Sequence, residues 1–119
     1  MDLKPLKIEV FNLFFDHAIA LSLPESLTKR QDRVARDYIT SAGYGDHFGH
    51  GLGHGVGLAV HEKPGFGKSN SMELEENMVV TIEPGIYLPS WGGVRLENMV
   101  RVTADGCEVL NENEFFYSF

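Results

Sequence analysis

Three histidines lie within twelve residues of one glycine-rich stretch, residues 49–62, which reads GHGLGHGVGLAVHE. They are His50, His54 and His61, and glycine occupies every second position from 49 to 57. Alternating glycines cost backbone entropy and add no side-chain contacts, so we expect another group to approach this backbone closely. The alternation also excludes a helix, and with it a helical zinc motif built on two histidines four residues apart. The stretch is typical of a functional site.

The placement of the three histidines depends on how this stretch is folded. If the chain is extended, alternate side chains share a face, which puts His50 and His54 on one side of the strand. His61 has the opposite parity and can reach that side only if the chain turns or bulges near Gly57 or beyond. A single histidine is as often half-buried and hydrogen-bonded to backbone as it is functional, but three histidines in this setting favour a site.

Two glutamates on predicted strands complete the candidate chemistry. Glu83 ends an apolar, β-branched strand at residues 78–83 (MVVTIE), and Glu97 lies within a second predicted strand at residues 94–102 (VRLENMVRV). One imidazole and two carboxylates form a mixed nitrogen and oxygen ligand set that suits Mn, Co, Fe or Zn and leaves positions open for water and substrate. Arg95, on the same face as Glu97, could orient that carboxylate. Spacing alone leaves an alternative open, an Arg95–Glu97 ion pair across the sheet with Glu83 at an exposed strand end.

Periodicity and turn signals predict the elements that must position these residues. Residues 8–22 have a loose helical period that ends before Pro24, and a second helix is predicted from a cap at Ser26 or Thr28 to a stop at Gly43. The further predictions, in chain order, are a loop at 63–71, an acidic turn at 73–77, the strand 78–83 halted by Pro84-Gly85, an extended segment at 86–88, a turn at 90–93, the strand 94–102 and a hairpin through Asp105-Gly106 to Leu110. Two helices followed by an antiparallel sheet make an α+β fold.

Length and composition exclude several classes of protein. A chain of 119 residues is one domain at most, and its 43% apolar and 11% aromatic content is typical of a globular protein. A net charge of −7 excludes nucleic acid or an anionic membrane as the main partner, because both require a basic face. The single cysteine, Cys107, excludes an internal disulfide, and Asp16 and His17 interrupt the apolar opening, which is unlike a signal peptide. We expect a cytoplasmic protein without a membrane span.

Four motifs, in order along the chain, resemble one known family. HGLGHGVGL at 50–58, VHE at 60–62 followed by Pro64, IEPGIY at 82–87 and GGVRLE at 92–97 resemble the C-terminal part of the pita-bread (M24) metallopeptidases. These are the methionine aminopeptidases, Xaa-Pro aminopeptidases and prolidases. The resemblance covers residues 28–110, whereas the helix before Pro24 and the tail at 114–119 differ from the family's usual residues. It implies that residues 1–119 are a single partial domain, half of a pita-bread fold with two helices packed on an antiparallel sheet.

The resemblance implies a role for each of the candidate residues. His54 corresponds to a metal ligand, and Glu83 to a second ligand that exchanges a proton with the nucleophilic water. Glu97 corresponds to a third ligand, which bridges two metal ions. His50 and His61 resemble catalytic histidines that do not bind metal but contact the peptide and steady the tetrahedral intermediate.

The resemblance also implies a substrate and a cofactor. A histidine four residues before the metal-binding one, together with GIYLPSWGGVRLEN at 85–98, is more similar to the Xaa-Pro-cleaving branch than to the methionine branch. Arg95 matches a position that supports the site in that branch. The family hydrolyses the first peptide bond, here of a short peptide with proline at its second position, and its divalent ions (Mn, Co or Zn) lower the pKa of the attacking water.

Two aspartates that complete the family's two-metal site have no counterpart at the family spacing. They come from strands upstream of the metal-binding histidine, at a separation larger than the 53 residues that precede His54 here. No aspartate is assigned the role, because the candidates lie on predicted helices or the turn that follows: Asp16, Asp32, Asp37 and Asp46. At most one metal ion is therefore expected on this chain alone.

Three hypotheses follow from this combination of matches and differences. The first is the C-terminal catalytic portion of a metal-dependent Xaa-Pro aminopeptidase or dipeptidase, active within a longer parent or with a complementing chain. The second is a catalytically inactive half-domain that binds peptide or a protein partner. The third is a hydrolase with one metal on His54, Glu83 and Glu97. Half a fold leaves an open sheet edge and an uncovered apolar face, which predicts a homo-oligomer or a complementing chain.

Overall fold

A computed structural model describes residues 27–111 of the chain. The predicted helix at 8–22, Asp16 and the tail at 114–119 lie outside these described residues. Within them the elements, in chain order, are α1 (Thr28–Ser41), a 3-10 helix (Gly45–His47), β1 (Gly53–Gly55), β2 (Glu62–Phe66), β3 (Val79–Ile82), β4 (Gly85–Leu88), β5 (Gly92–Arg95), β6 (Asn98–Thr103) and β7 (Gly106–Val109). The predicted α+β class is confirmed, since one helix packs on antiparallel sheet in the described part of the chain.

The strands form two antiparallel sheets. Five strands lie in the order β2-β1-β3-β6-β7, and β4 and β5 form a separate hairpin. Side chains on one face of β3 and β6 pack against α1 in a single core, whose buried members are Ile39, Phe48, Leu52, Phe66, Val80, Ile82, Ile86 and Val100. Because side chains alternate along β3, Thr81 and Glu83 face the opposite side of the sheet. The central strand thus separates the hydrophobic core from a cleft lined by polar groups.

The helix α1 ends as its sequence predicts but begins differently. Gly43 has a φ of 87°, and the N–H groups of Gly43 and Tyr44 donate to the carbonyls of Thr40 and Ile39, which is the Schellman arrangement. At the other end, Leu27 is the capping residue and makes no side-chain cap. The predicted cap by Thr28 is wrong, because its hydroxyl donates to the Asn70 carbonyl, 3.2 Å away. The alternative cap, Ser26, lies outside the described residues.

Two strand predictions need correction. The predicted loop at 63–71 begins with a strand, β2, in which Pro64 is buried. Because β2 lies at the edge of its sheet, the missing N–H of proline costs no ladder hydrogen bond. The single strand predicted at 94–102 is two strands, since β5 pairs with β4 whereas β6 pairs with β3, and the chain changes sheet at Leu96 and Glu97.

Other predictions hold with small shifts. The strand predicted at 78–83 is observed as β3, and the segment at 86–88 as β4. The hairpin of β6 and β7 is confirmed, with Ala104 and Asp105 in its two-residue loop, one position earlier than predicted. Among the described helices, none is both long and apolar enough to cross a membrane.

Candidate functional site

The glycines of the histidine stretch allow strands to pack closely. A side chain at Gly51 would collide with the carbonyl oxygen of Phe66, and one at Gly53 with the carbonyl oxygen of Thr81. The close approach predicted from the sequence is therefore made by neighbouring backbone. Residues 53–55 of the stretch form β1, which is inserted between β2 and β3, and the last residue of the stretch, Glu62, begins β2. The glycines consequently bring the histidine segment directly against the strand that ends at Glu83.

His54 and Glu83 form the centre of the site. The Nε2 atom of His54 lies 3.1 Å from Oε1 of Glu83, and both side chains are mostly buried. The backbone N–H of His54 donates to the hydroxyl of Thr81, 3.1 Å away, and that hydroxyl donates to Oε1 of Glu83 at 2.9 Å. The N–H of Glu83 donates to the carbonyl of Leu52, 2.7 Å away. Both residues are thus fixed by contacts with the facing strand.

The proton on the His54 ring can be placed from its contacts. Nδ1 lies 2.9 Å from the carbonyl oxygen of Gly55, and because a carbonyl only accepts, Nδ1 carries a proton. Nε2 then faces Glu83 with an N–H if the ring is charged and with a lone pair if it is neutral. A lone pair and a carboxylate oxygen repel each other unless a cation lies between them. The pair is therefore a place for a proton or for a metal ion.

His61 reaches the same place through a change in chain direction. The β1–β2 register shifts between His54 and Gly55, and the chain turns back through residues 56–61. In this turn Gly57 donates to the carbonyl of Ala59, and Ala59 donates to the Glu62 carboxylate. The rings of His54 and His61 lie 4.1 Å apart between centroids. The turn that the parity of His61 requires is thus present.

His50 lies near the other two histidines with both ring nitrogens engaged. Nδ1 is 2.7 Å from the carbonyl oxygen of Gly51, and Nε2 is 2.6 Å from the hydroxyl of Tyr87. Since the carbonyl only accepts, Nδ1 carries a proton, and when the ring is neutral Nε2 accepts from the Tyr87 hydroxyl. The ring also meets Phe48 edge-on at 5.2 Å. A peptide group that binds His50 through Nε2 must displace the tyrosine hydroxyl.

Arg95 connects the two glutamates. Its Nε lies 3.7 Å from Oε2 of Glu83, and its Nη2 lies 3.4 Å from Oε2 of Glu97. Arg95 and Glu97 are both exposed, so the ion pair between them is weak in water. The prediction that Arg95 and Glu97 point the same way holds, although they do not share a strand.

These side chains line two adjoining depressions in one cleft. One, of about 540 Å³, is lined by His54, His61, Thr81, Glu83, Arg95 and Glu97 together with Leu58 and Val60. The other, of about 280 Å³, is lined by His50, Gly51 and Gly53 in addition to residues that the two depressions share. The structure therefore brings every predicted site residue to one cleft. Within residues 27–111, however, no three His, Cys, Asp or Glu side chains form a group that could hold a metal ion.

Two contributors to the site were missed or undervalued from the sequence. Thr81 links His54 to Glu83, and its shared parity with Glu83 on the predicted strand was a usable signal. Tyr87 binds His50 from a different sheet, and no spacing in the sequence indicates that contact. The aspartates considered as ligands lie elsewhere: Asp32 pairs with Arg36, Asp37 pairs with Arg33, and Asp46 is exposed in the 3-10 helix.

Comparison with known proteins shows the family and the fold of this chain. The model of metallopeptidase family M24 matches residues 8–104. The chain is 46% identical over 97 residues to an Xaa-Pro dipeptidase of Pyrococcus furiosus, which covers 82% of this chain and 28% of that protein. The fold matches the prolidase from Pyrococcus furiosus with a TM-score of 0.76 and 41% identity, over 90% of this chain and 33% of that one. It matches the X-Pro aminopeptidase from Thermotoga maritima with a TM-score of 0.76 and 40% identity, over 89% and 31% of the two chains. The chain thus spans about a third or less of these relatives' length.

Proposed function

The chain belongs to metallopeptidase family M24, and on that premise we propose that it is the C-terminal catalytic portion of a metal-dependent Xaa-Pro aminopeptidase or dipeptidase. Its substrate is a short peptide with proline at the second position, cleaved at the bond before that proline. The names of the similar proteins support this substrate class, since they include an Xaa-Pro dipeptidase, a prolidase and an X-Pro aminopeptidase.

The observation that carries the proposal is the contact between His54 and Glu83. The tautomer of His54 directs Nε2 at a carboxylate oxygen 3.1 Å away, and the Thr81 hydroxyl holds that oxygen from behind. The Nδ1 atom of His54 donates to the Gly55 carbonyl, and the carboxylate of Glu83 accepts from Thr81. Such hydrogen bonds are typical of metal ligands, because they orient the donor atoms before the ion binds. The pair is mostly buried yet lies at an open cleft of peptide size, which favours a reactive site over a structural ion pair.

The types of donor, one imidazole nitrogen with carboxylate oxygens, suit a divalent ion such as Mn, Co or Zn. His54 and Glu83 already lie together, whereas the carboxylate of Glu97 now contacts Arg95 and would have to turn toward them to complete the set. Arg95 now lies between the two carboxylates with a single positive charge, which is the position where a cation is electrostatically favoured. A bound ion would polarise the scissile carbonyl and lower the pKa of the attacking water.

The remaining chemistry is assigned to side chains of the cleft. Glu83 accepts the proton of the attacking water and returns it to the leaving amine, as a carboxylate at hydrogen-bond distance can do. His61, exposed beside His54, donates to the oxygen that gains negative charge in the tetrahedral intermediate. His50 contacts the peptide on the side of Tyr87. Arg95 keeps the two carboxylates oriented.

The full two-metal site requires two aspartates, and none of the aspartates within residues 27–111 lines the cleft. Asp32 is paired with Arg36, Asp37 is paired with Arg33, and Asp46 is exposed in the 3-10 helix. We therefore place the missing ligands in a longer parent protein or in a complementing chain. On this chain alone we propose at most one ion. The single cysteine favours a cytoplasmic location.

Metal titration by calorimetry tests the site directly. Mn²⁺ and Zn²⁺ are titrated into the chain, into His54→Ala and into His47→Ala, which removes a histidine outside the cleft. We expect about one ion per chain, lost in His54→Ala and retained in His47→Ala. Equal binding by all three proteins contradicts a metal site at His54, and binding by none of them contradicts a metal site on this chain.

Hydrolysis then tests the substrate. With the metal bound, release of proline from Ala-Pro is compared with release of alanine from Ala-Ala, in the presence and absence of a chelator. Cleavage of Ala-Pro alone, abolished by the chelator and by Glu83→Gln, supports the proposal. Metal binding without cleavage of either peptide would show that catalysis requires the missing aspartates. That outcome favours a second function, which is binding without catalysis.

That second function is an inactive half-domain that binds peptide or a protein partner. It is favoured by the apolar turn beside the cleft, where Leu58 and Val60 are both strongly exposed. Exposed apolar side chains at the rim of a cleft are typical of a surface that a partner covers. We propose that this surface makes the chain a homo-oligomer or binds a complementing chain. Light scattering that shows a monomer at all micromolar concentrations would contradict self-association.

A further inference from the structure

A buried ion pair on α1 lies outside the cleft and takes no part in the chemistry assigned above. Asp32 is 1% exposed and the side chain of Arg36 is 16% exposed. Arg36 donates from Nε to Oδ2 of Asp32 at 3.0 Å and from Nη2 to Oδ1 at 3.2 Å. Taking two charges out of water is costly, so a buried pair is weak evidence for stability by itself. Its further contacts show what the pair does.

Those further contacts all reach one short segment, residues 48–52. Arg36 donates from Nη1 to the carbonyl of Phe48 and from Nη2 to the carbonyl of His50, both at 2.8 Å. Oδ1 of Asp32 accepts the N–H of Leu52 at 2.9 Å. The guanidinium also lies over the Phe48 ring, 4.3 Å from its centroid. The pair thus holds the backbone on both sides of the His50 side chain.

His54 is held by different groups. Its N–H donates to Thr81, and its strand pairs with β2 and β3 rather than with the helix. The two histidines therefore have separate supports, the helix for His50 and the sheet for His54. A disturbance of the helix contact is expected to reach His50 before it reaches the metal-binding residues.

We propose that Asp32 and Arg36 are positioning residues for His50. They set the backbone from which the His50 ring reaches Tyr87 and the cleft, and so determine where that ring meets the peptide. The peptide-binding part of this statement rests on the proposed function, whereas the placement of the ring does not. A fork-shaped donor is required, because Arg36 makes four hydrogen bonds, two to the Asp32 carboxylate and two to carbonyls, and a lysine ammonium has only three N–H groups.

The test uses Arg36→Lys in the full chain, with Arg33→Lys as the matched control. Arg33 lies on the same helix and pairs with Asp37 at the same spacing, but both of these side chains are exposed. Nitrogen-15 spectra of the histidine rings report the tautomer of each ring, and proton–proton contacts report whether the His50 ring still meets Phe48 and Tyr87. Neither readout requires metal or peptide.

We expect Arg36→Lys to abolish the fixed Nδ1–H tautomer of His50 and its contact with Tyr87, while the ring signals of His54 and its contact with His61 stay as in the parent chain. Arg33→Lys is expected to change neither histidine. An unchanged His50 in Arg36→Lys overturns the proposal. Equal changes at His50 and His54 also overturn it, because they would show a general structural role.

A second variant covers the case in which Arg36→Lys does not fold. Asp32→Asn retains an acceptor for the Leu52 N–H and removes the charge that orients Arg36, and the same loss at His50 with an intact His54 is expected. If the metal and peptide experiments fail while His50 behaves as described, the proposed function is wrong and the positioning role stands. If they succeed while His50 is unaffected, the positioning role is wrong.

Discussion

Two ion pairs on α1 have the same chemistry and the same four-residue spacing but very different surroundings. Asp32 and Arg36 are 1% and 16% exposed, whereas Arg33 and Asp37 are 80% and 70% exposed. The first pair also makes hydrogen bonds to the backbone of residues 48–52. Within residues 27–111, no such bond joins the second pair to another element. Four-residue spacing on a helix therefore predicts that an ion pair can form. The pair supports another part of the chain only where it is buried against that part.

The cleft shows the same contrast on a smaller scale. His54 and Glu83 are mostly buried and are held by Thr81, while Arg95 and Glu97 meet at 3.4 Å on an exposed edge. Buried polar groups are costly to leave unpaired, and exposed ones are not. We expect substitutions of His54 or Glu83 to change the free energy of unfolding. Substitutions of Arg95 or Glu97 are expected to change mainly the charge of the cleft.

The largest expected difference is between Asp32→Ala and Asp37→Ala. Removal of Asp32 leaves the Arg36 guanidinium buried without its counter-charge, which is expected to lower the free energy of unfolding by about 3–5 kcal/mol. Removal of Asp37 is expected to change it by less than about 1 kcal/mol. Urea unfolding followed by circular dichroism measures both. Similar values for the two variants would show that burial of the first pair has no energetic consequence.

Two glycines of the histidine stretch offer a second matched comparison. A methyl group at Gly51 would collide with the Phe66 carbonyl, whereas one at Gly49 has open space around it. Gly51→Ala is expected to cost about 2–3 kcal/mol through displaced backbone, and Gly49→Ala under about 1 kcal/mol. The same unfolding measurement applies. A neutral Gly51→Ala would mean that β2 can move away from residues 48–52 without loss.

The contribution of Thr81 is expected to be smaller but more specific. Thr81→Val removes the donor to Glu83 and leaves the His54 N–H without its acceptor, which is expected to cost about 1–2 kcal/mol. Because the hydroxyl orients a proposed metal ligand, calorimetry should also show Mn²⁺ affinity reduced by about tenfold. Thr103→Val is the control, since its hydroxyl donates to the exposed Asp105 and lies outside the cleft. Equal metal affinity in the two variants would show that the Thr81 hydroxyl does not orient a metal ligand.

The smallest expected effect concerns Cys107, which lies on β7 at the far edge of the sheet. Burial raises the pKa of the Cys107 thiol, because the charged thiolate is poorly solvated there. A raised pKa means less thiolate at any pH below it, so alkylation by iodoacetamide at pH 8 should be slower in the folded chain than in urea. The rate in urea divided by the rate in the folded chain should decrease as the pH rises, because the folded thiol also ionises at high pH. Equal rates at pH 8 would show that the edge strand opens freely.

Local signals determined much of the fold and the identity of the site residues. The stop of α1 at Gly43, the strand that ends at Glu83 before Pro84 and the hairpin near Asp105 follow from backbone preferences that each short segment carries by itself. The motifs around His54, Glu83 and Glu97 likewise indicated the family that the comparisons show. These features depend on residues a few positions apart, which is why they can be read from the chain.

Tertiary structure decided what depends on distant partners. Pro64 lies in a strand because an edge position tolerates it, and the strand expected at 94–102 divides because its two halves pair with different neighbours. The roles of Asp32 and Arg36 came from residues 12 to 20 positions away, which no local spacing encodes. The sequence by itself determined which side chains could do chemistry. Only the fold determined which of them are buried together, because burial is what makes a charge or a hydrogen bond consequential.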